Sequence, residues 1–242
     1  MPPLIEVITF DVTHTLIHCP RLGEIYSEVL GRHGIAVEPA AARRLVRTVW
    51  QEFACLADPG RDRFREHPEG ARGWWQRFLV RFCQHLDAPP PSRFASAELF
   101  HRFGQPESWE VYPEVRETLG ALKGQGLGLG VISNWDDRLP ALLAGLDLVP
   151  FFDAVVYSSD VGAEKPGLRI FRQALARLGV AAESALHVGD SRLEDVEGAI
   201  AAGMRGLLLD RGGRSRRGGI RDLARLPRLV AAPAATAELV ES

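Results

Sequence analysis

Lysine is almost missing from this 242-residue chain: Lys123 and Lys165 are the only two, and arginine supplies the other positive charges. With a formal net charge of −2, no basic field is on offer to a nucleic acid or an anionic membrane. Cysteine is scarce too. Cys19, Cys55 and Cys83 are odd in number and lack metal-ligand spacing, which excludes a disulfide framework and a cysteine-based zinc site. No apolar run approaches membrane length, and the amino terminus enters an apolar segment almost at once, leaving no room for a signal sequence. The expectation is a soluble, cytoplasmic protein with reduced thiols, without nucleic-acid or membrane partners. Arginine, alanine, glycine and proline are plentiful instead, so one arginine says little and one lysine says more.

What is present is a repeated pattern of short apolar runs that end in polar residues. Residues 4–10, LIEVITF, read as a buried parallel strand, β-branched and free of proline, that releases Asp11 into the turn Val12-Thr13-His14-Thr15. An aspartate there is a placed nucleophile or a metal ligand, or it caps the next helix. A second run, GLGLGVISN, leads to Ser133 and Asn134. The segment AEKPG sets Lys165 before a proline at a helix entrance, and SALHVGDSRLED runs into Gly189, Asp190, Glu194 and Asp195. The carboxyl ends of parallel strands share one rim, so these groups converge although far apart in sequence.

Between the first and second runs, the pattern changes. Residues 17–109 show helical periodicity, with apolar positions such as Ile25, Val29 and Leu30, or Trp75, Phe78, Leu79 and Phe82, and breaks at 31–39, 58–70 and 88–91. They predict an all-helical cap domain of about four helices, inserted into a core formed by residues 1–16 and 110–242. In the core, strands at 127–133, 154–157, 185–188 and 206–210, with a weaker one at 228–231, alternate with helices. The fold class is α/β: a doubly wound parallel, Rossmann-like sheet. GGRSRRGG, residues 212–219, reads as a mobile surface loop.

The order Asp11, Ser133, Lys165 and Asp190 with Asp195 resembles the haloacid dehalogenase superfamily of phosphotransferases, whose motifs are a nucleophilic aspartate, Ser/Thr, Lys and an acidic pair. The resemblance spans nearly the whole chain. Within that superfamily DVTHTL, SNWDDRL, KPGLRIF and HVGDSRLEDVEGAIAAGM are most similar to one small group that shares an unusual first motif. The resemblance implies an aspartyl-phosphate mechanism on a small phosphorylated metabolite, with Asp11 as nucleophile and Mg²⁺ as cofactor. Asp11, Asp190, Asp195 and the Thr13 carbonyl would hold the metal, with Glu194 a rival of Asp195. Lys165, Ser133 and the Asn134 amide would hold phosphoryl oxygens, with Ser133 and Lys165 also serving catalysis.

Thr13 is the departure. Relatives usually carry a second aspartate there as general acid and base, and threonine cannot exchange a proton near neutral pH. A slow phosphatase and a catalytically weak binding or scaffold protein both remain open. A 2-haloacid dehalogenase is a lesser alternative, since that chemistry needs no metal and the acidic pair argues against it. His14 and Trp135 are candidates to line the substrate. Trp74, Trp75, Arg21 and Arg72 are positions in the cap at which packing competes with recognition.

Overall fold

The computed structural model describes residues 4–54, 58, 60–213 and 219–231. The chain divides into two compact units, residues 19–110 on one side and residues 1–18 with 111–242 on the other.

Among the described residues, the unit of residues 19–110 holds four α-helices: α1 (Leu22–Arg32), α2 (Pro39–Ala54), α3 (Gly70–Gln84) and α4 (Arg93–Arg102). Each packs the stripe its spacing dictates. In α1 the buried side chains are Ile25, Tyr26, Val29 and Leu30, one face of a 3.6-residue period. In α3 they are Trp74, Phe78, Leu79, Phe82 and Cys83. Trp74 sits edge-on to Trp75 at 4.8 Å, Phe64 at 5.1 Å and Phe53 at 5.3 Å, and Trp50 joins the same cluster. Both cap tryptophans are therefore packing residues, each aromatic pair adding about 0.5–1.5 kcal/mol beyond its buried area. Arg72 lies over the Phe100 ring and Arg21 pairs with Glu28.

The other unit is built on a five-stranded, wholly parallel sheet. β1 (Val7–Phe10) is its central strand. A two-residue pair, β2 (Ile17–His18) with β3 (Glu110–Val111), stands where the chain passes from one unit to the other. After α5 (Val115–Gly124) come β4 (Gly128–Ser133), α6 (Leu139–Gly145), β5 (Ala154–Tyr157), α7 (Ser158–Val161) and α8 (Leu168–Leu178). β6 (Ala185–Gly189), a π-helix (Arg192–Glu197), α9 (Gly198–Ala201) and β7 (Arg205–Leu208) complete it. The spatial order is β5-β4-β1-β6-β7, so the order reverses at β1, between β4 and β6. Such a reversal opens a crevice at the carboxyl ends of the central strands.

Several expected boundaries shift. The first ladder begins at Val7, and Leu4 is exposed. The weak strand expected at 228–231 is instead part of α10 (Leu226–Val230), because Pro227 sits in its first turn and Leu226 and Leu229 bury at helical spacing. Cys19 and Cys83 are buried free thiols, each pushed up to about 11 by burial, which keeps them inert. Cys55 and residues 214–218 of the arginine-rich loop lie outside the described residues. Among the described residues, no helix is long and apolar enough to cross a membrane.

Candidate active site

Phe10 pairs with Val131 of β4 on one side and Val188 of β6 on the other, so three chains leave the sheet side by side. Asp11 is the first residue beyond β1. Its N–H still donates to Val188 O at 2.9 Å, which anchors the backbone while the side chain is released at the rim.

Four sequence-predicted side chains meet there. Asp11 Oδ1 accepts hydrogen bonds from Ser133 Oγ at 2.9 Å and from Lys165 Nζ at 2.7 Å. The same ammonium donates to Asp195 Oδ1 at 2.5 Å. Lys165 is only 3% exposed, so its charge has left water and depends on these two carboxylates. Burial works against that charge, but Asp11 and Asp195 outweigh it and hold the ammonium above its ordinary range. Asp195 is held well below the carboxylate range: burial opposes its ionisation, and Lys165 and the His187 ring more than reverse that.

Asn134 fixes the place of Lys165. The Lys165 N–H donates to Asn134 Oδ1 at 2.7 Å, and Asn134 Nδ2 donates back to Lys165 O at 3.0 Å. The Asn134 side chain thus aims the lysine, a role beyond the backbone amide contact expected of it. Glu194 lies 3.4 Å from the same Nδ2, while Asp195 is the acid joined to Lys165.

Asp195 owes its position to the π-helix. Ser191 caps it by accepting the Glu194 N–H, and the Ser191 N–H donates to Asp195 Oδ2 at 2.9 Å. The wider turn presses the carboxylate onto the end of β6, where a Cβ on Gly189 would stand 2.2 Å from Asp195 Cγ. Only glycine fits there. Asp190 follows at the solvent-facing rim. Loss of surrounding water, and then the charges of Asp11 and Asp195, push its carboxyl up to about 8; since the residue is exposed, the like charges are the part that matters.

Ligand oxygens of Asp11, Asp190 and Asp195 lie within 4.8 Å of one another. Three carboxylates face one ammonium, so the cluster is short of positive charge. An all-oxygen donor set with that deficit fits a hard divalent cation such as Mg²⁺.

Thr13 is half-buried, and its hydroxyl accepts the Trp135 indole N–H at 3.0 Å. Trp135 is thus a wall of the turn after Asp11. His14 is exposed, with φ of 63°, in the left-handed region that favours glycine. Arg211 steadies that turn, donating to His14 O at 3.2 Å and Thr15 O at 2.8 Å while its guanidinium pairs with Glu114 and lies over Tyr112.

Sequence reasoning passed over Thr9, His187 and Arg211. The first two carried a signal, polar residues inside otherwise apolar strands; His187 is wholly buried, Nδ1 2.9 Å from Thr9 Oγ1 and Nε2 3.2 Å from Asp195 Oδ1. Arg211 carried none, being one arginine among many.

Comparison with known proteins agrees with this geometry. The family model of haloacid dehalogenase-like hydrolases matches residues 5–203. Human haloacid dehalogenase-like hydrolase domain-containing protein 3 is 34% identical over 211 residues, covering 85% of this chain and 82% of that protein. Phosphoserine phosphatase of Thermus thermophilus is 37% identical over 164 residues, 67% of this chain and 59% of its own. Among solved structures, the HAD phosphatase from Thermococcus onnurineus has 26% identity and a TM-score of 0.64, covering 94% of this chain and 98% of its own. The chain belongs to the haloacid dehalogenase-like hydrolase family.

Proposed function

We propose that this chain is a Mg²⁺-dependent phosphohydrolase that acts on a small phosphomonoester through an aspartyl phosphate on Asp11. The observation that carries this is Lys165 held between Asp11 and Asp195 at 2.7 and 2.5 Å, with Asp190 at the rim. Phosphatase names among the relatives support it, phosphoserine phosphatase and glyceraldehyde 3-phosphate phosphatase.

A carboxylate oxygen of Asp11 attacks phosphorus as the ester P–O bond breaks and the alcohol leaves with a proton from solvent; water then attacks the acyl phosphate at phosphorus, loses a proton to solvent, and frees phosphate and the Asp11 carboxylate. Ser133 and Lys165, which share Asp11 Oδ1, donate to phosphoryl oxygens in this reading, with the Asn134 backbone amide as a further donor. Lys165 stays protonated throughout. Mg²⁺, held by Asp11, Asp190, Asp195 and the Thr13 carbonyl, would offset the charge of two anions brought together. The leaving oxygen gets no carboxylic proton, because Thr13 stands where the acid would be. General acid–base help is worth roughly 10²–10⁴ in rate, so turnover of poor leaving groups is slow.

Residues 17–109 are the accessory domain that selects substrate, and residues 1–16 with 110–242 are the core domain that carries the chemistry, in a cytoplasmic protein. The engaged Thr13 hydroxyl favours a second reading, a binding or scaffold protein that keeps the phosphate site. A panel of phosphomonoesters assayed with Mg²⁺ separates the two. Phosphate release abolished by Asp11→Asn is the expected result; no compound turned over above the Asp11→Asn variant would leave only the scaffold.

A further inference from the structure

His187 lies in β6 directly across from Thr9 of β1, and both residues are wholly inaccessible to solvent. These are central strands whose other inward positions are apolar, and Phe171 meets the His187 ring edge-on at 5.4 Å. A valine or leucine would fill either place without the roughly 1–3 kcal/mol penalty of a buried polar group left unpaired. The pair is tolerated because each polar atom has a partner, and those partners form a single file that ends on Asp195.

The Thr9 hydroxyl proton has two acceptors in reach, His187 Nδ1 at 2.9 Å and Leu186 O at 3.4 Å. An ionised carboxylate only accepts, so Nε2, 3.2 Å from Asp195 Oδ1, is the nitrogen suited to carry the ring proton, which leaves Nδ1 to accept the Thr9 hydroxyl. Without the hydroxyl, Nδ1 would lie buried with no donor and the ring could present a lone pair to the carboxylate instead. Asp195 Oδ1 also takes Lys165 Nζ, and Oδ2 takes the Ser191 N–H.

We infer that Thr9 and His187 are positioning residues: the hydroxyl sets the histidine tautomer, and the ring holds Asp195 in the orientation that the cation site requires. The inference rests on the Mg²⁺ site proposed above. Outer contacts of this kind typically change metal affinity 10- to 100-fold.

The test uses the full chain with MgCl₂ alone, by titration calorimetry, and ring ¹⁵N spectra of labelled protein. His187→Leu and Thr9→Val should weaken Mg²⁺ binding, His187→Leu by roughly 10- to 100-fold. His187→Gln, whose amide restores an N–H donor, should bind within a few-fold of the unaltered protein. The unaltered ring should carry its proton on Nε2, and Thr9→Val should reduce that preference. Should His187→Leu fail to fold, Thr9→Val, which exchanges one hydroxyl for a methyl group, still decides. Unchanged Mg²⁺ affinity in His187→Leu or Thr9→Val, with affinity lost in Asp190→Asn, would overturn the positioning role and spare the metal site. Affinity unchanged in Asp11→Asn and Asp190→Asn as well would overturn the metal site. In that case a proton found on Nδ1 would still refute the tautomer assignment, and one on Nε2 would uphold it.

Discussion

Lys165→Met is the most informative perturbation, because it removes one charge from a buried triad and leaves the shape nearly unchanged. The ammonium lies 2.7 Å from Asp11 Oδ1 and 2.5 Å from Asp195 Oδ1, with about 1% of its side chain exposed. Without it, buried carboxylates face one another and Asp190 with no counter-charge. Removing one partner of a buried pair costs about 3–5 kcal/mol, against the usual tenths for an exposed one. For a chain of this size that is a fall of roughly 6–20 °C in melting temperature. The loss should shrink with Mg²⁺, since bound cation at about 100 times its dissociation constant returns ~2.7 kcal/mol. It should also shrink when Asp195→Asn is added, because one of the stranded charges is then gone. Differential scanning fluorimetry of the single and double variants, with and without Mg²⁺, reads all three effects. A metal-free Lys165→Met protein that melts with the unaltered one would refute the charge balance described here.

Three more outcomes are expected. In metal-free protein the folded Asp190 carboxyl, at about 8, binds its proton more tightly than the unfolded chain does, so stability should fall as pH rises from about 4 to about 8. Asp195 has the opposite sign, stabilising above the ordinary carboxylate range and losing that contribution in acid. Asp190→Asn or added Mg²⁺ should flatten the alkaline limb, as read by chemical denaturation across the pH range; a limb unchanged in Asp190→Asn would remove Asp190 as its source. Thr13→Asp should raise turnover of alkyl phosphates more than of aryl phosphates, by a factor within roughly 10²–10⁴, since only the poorer leaving group needs a proton. Equal kcat/KM changes for both ester classes would count against a missing general acid. Gly189→Ala forces its Cβ onto Asp195 and should cost about 1–3 kcal/mol while weakening Mg²⁺ binding, so intact calorimetric affinity would show that Asp195 can move aside.

The sequence by itself determined the parts of this protein that depend on local pattern. Apolar runs ending at Phe10, Ser133 and Gly189 are strands because their residues are β-branched or apolar and stop at turn formers, and all three emerge at one rim. Helical spacing between residues 17 and 109 is visible because each helix must bury one stripe. The weak strand expected at 228–231 falls on the helix Leu226–Val230, because a short apolar run has no decisive period. Asp11, Ser133, Lys165 and Asp195 were legible as an ordered set, and Thr13 as an exception, since residue type alone limits the chemistry.

Tertiary structure alone decided what each of these groups faces. That Asp195 rather than Glu194 reaches Lys165 follows from a π-helical turn and from the empty space at Gly189, neither of which is written in local pattern. Thr9 and His187 are 178 residues apart, and Arg211 reaches the turn after Asp11 from 196 and 197 residues away. Contacts over such separations arise only when the fold brings distant segments of the chain side by side. The strength of a buried charge depends on which water is excluded and which partner replaces it, and that is a property of the packed sheet.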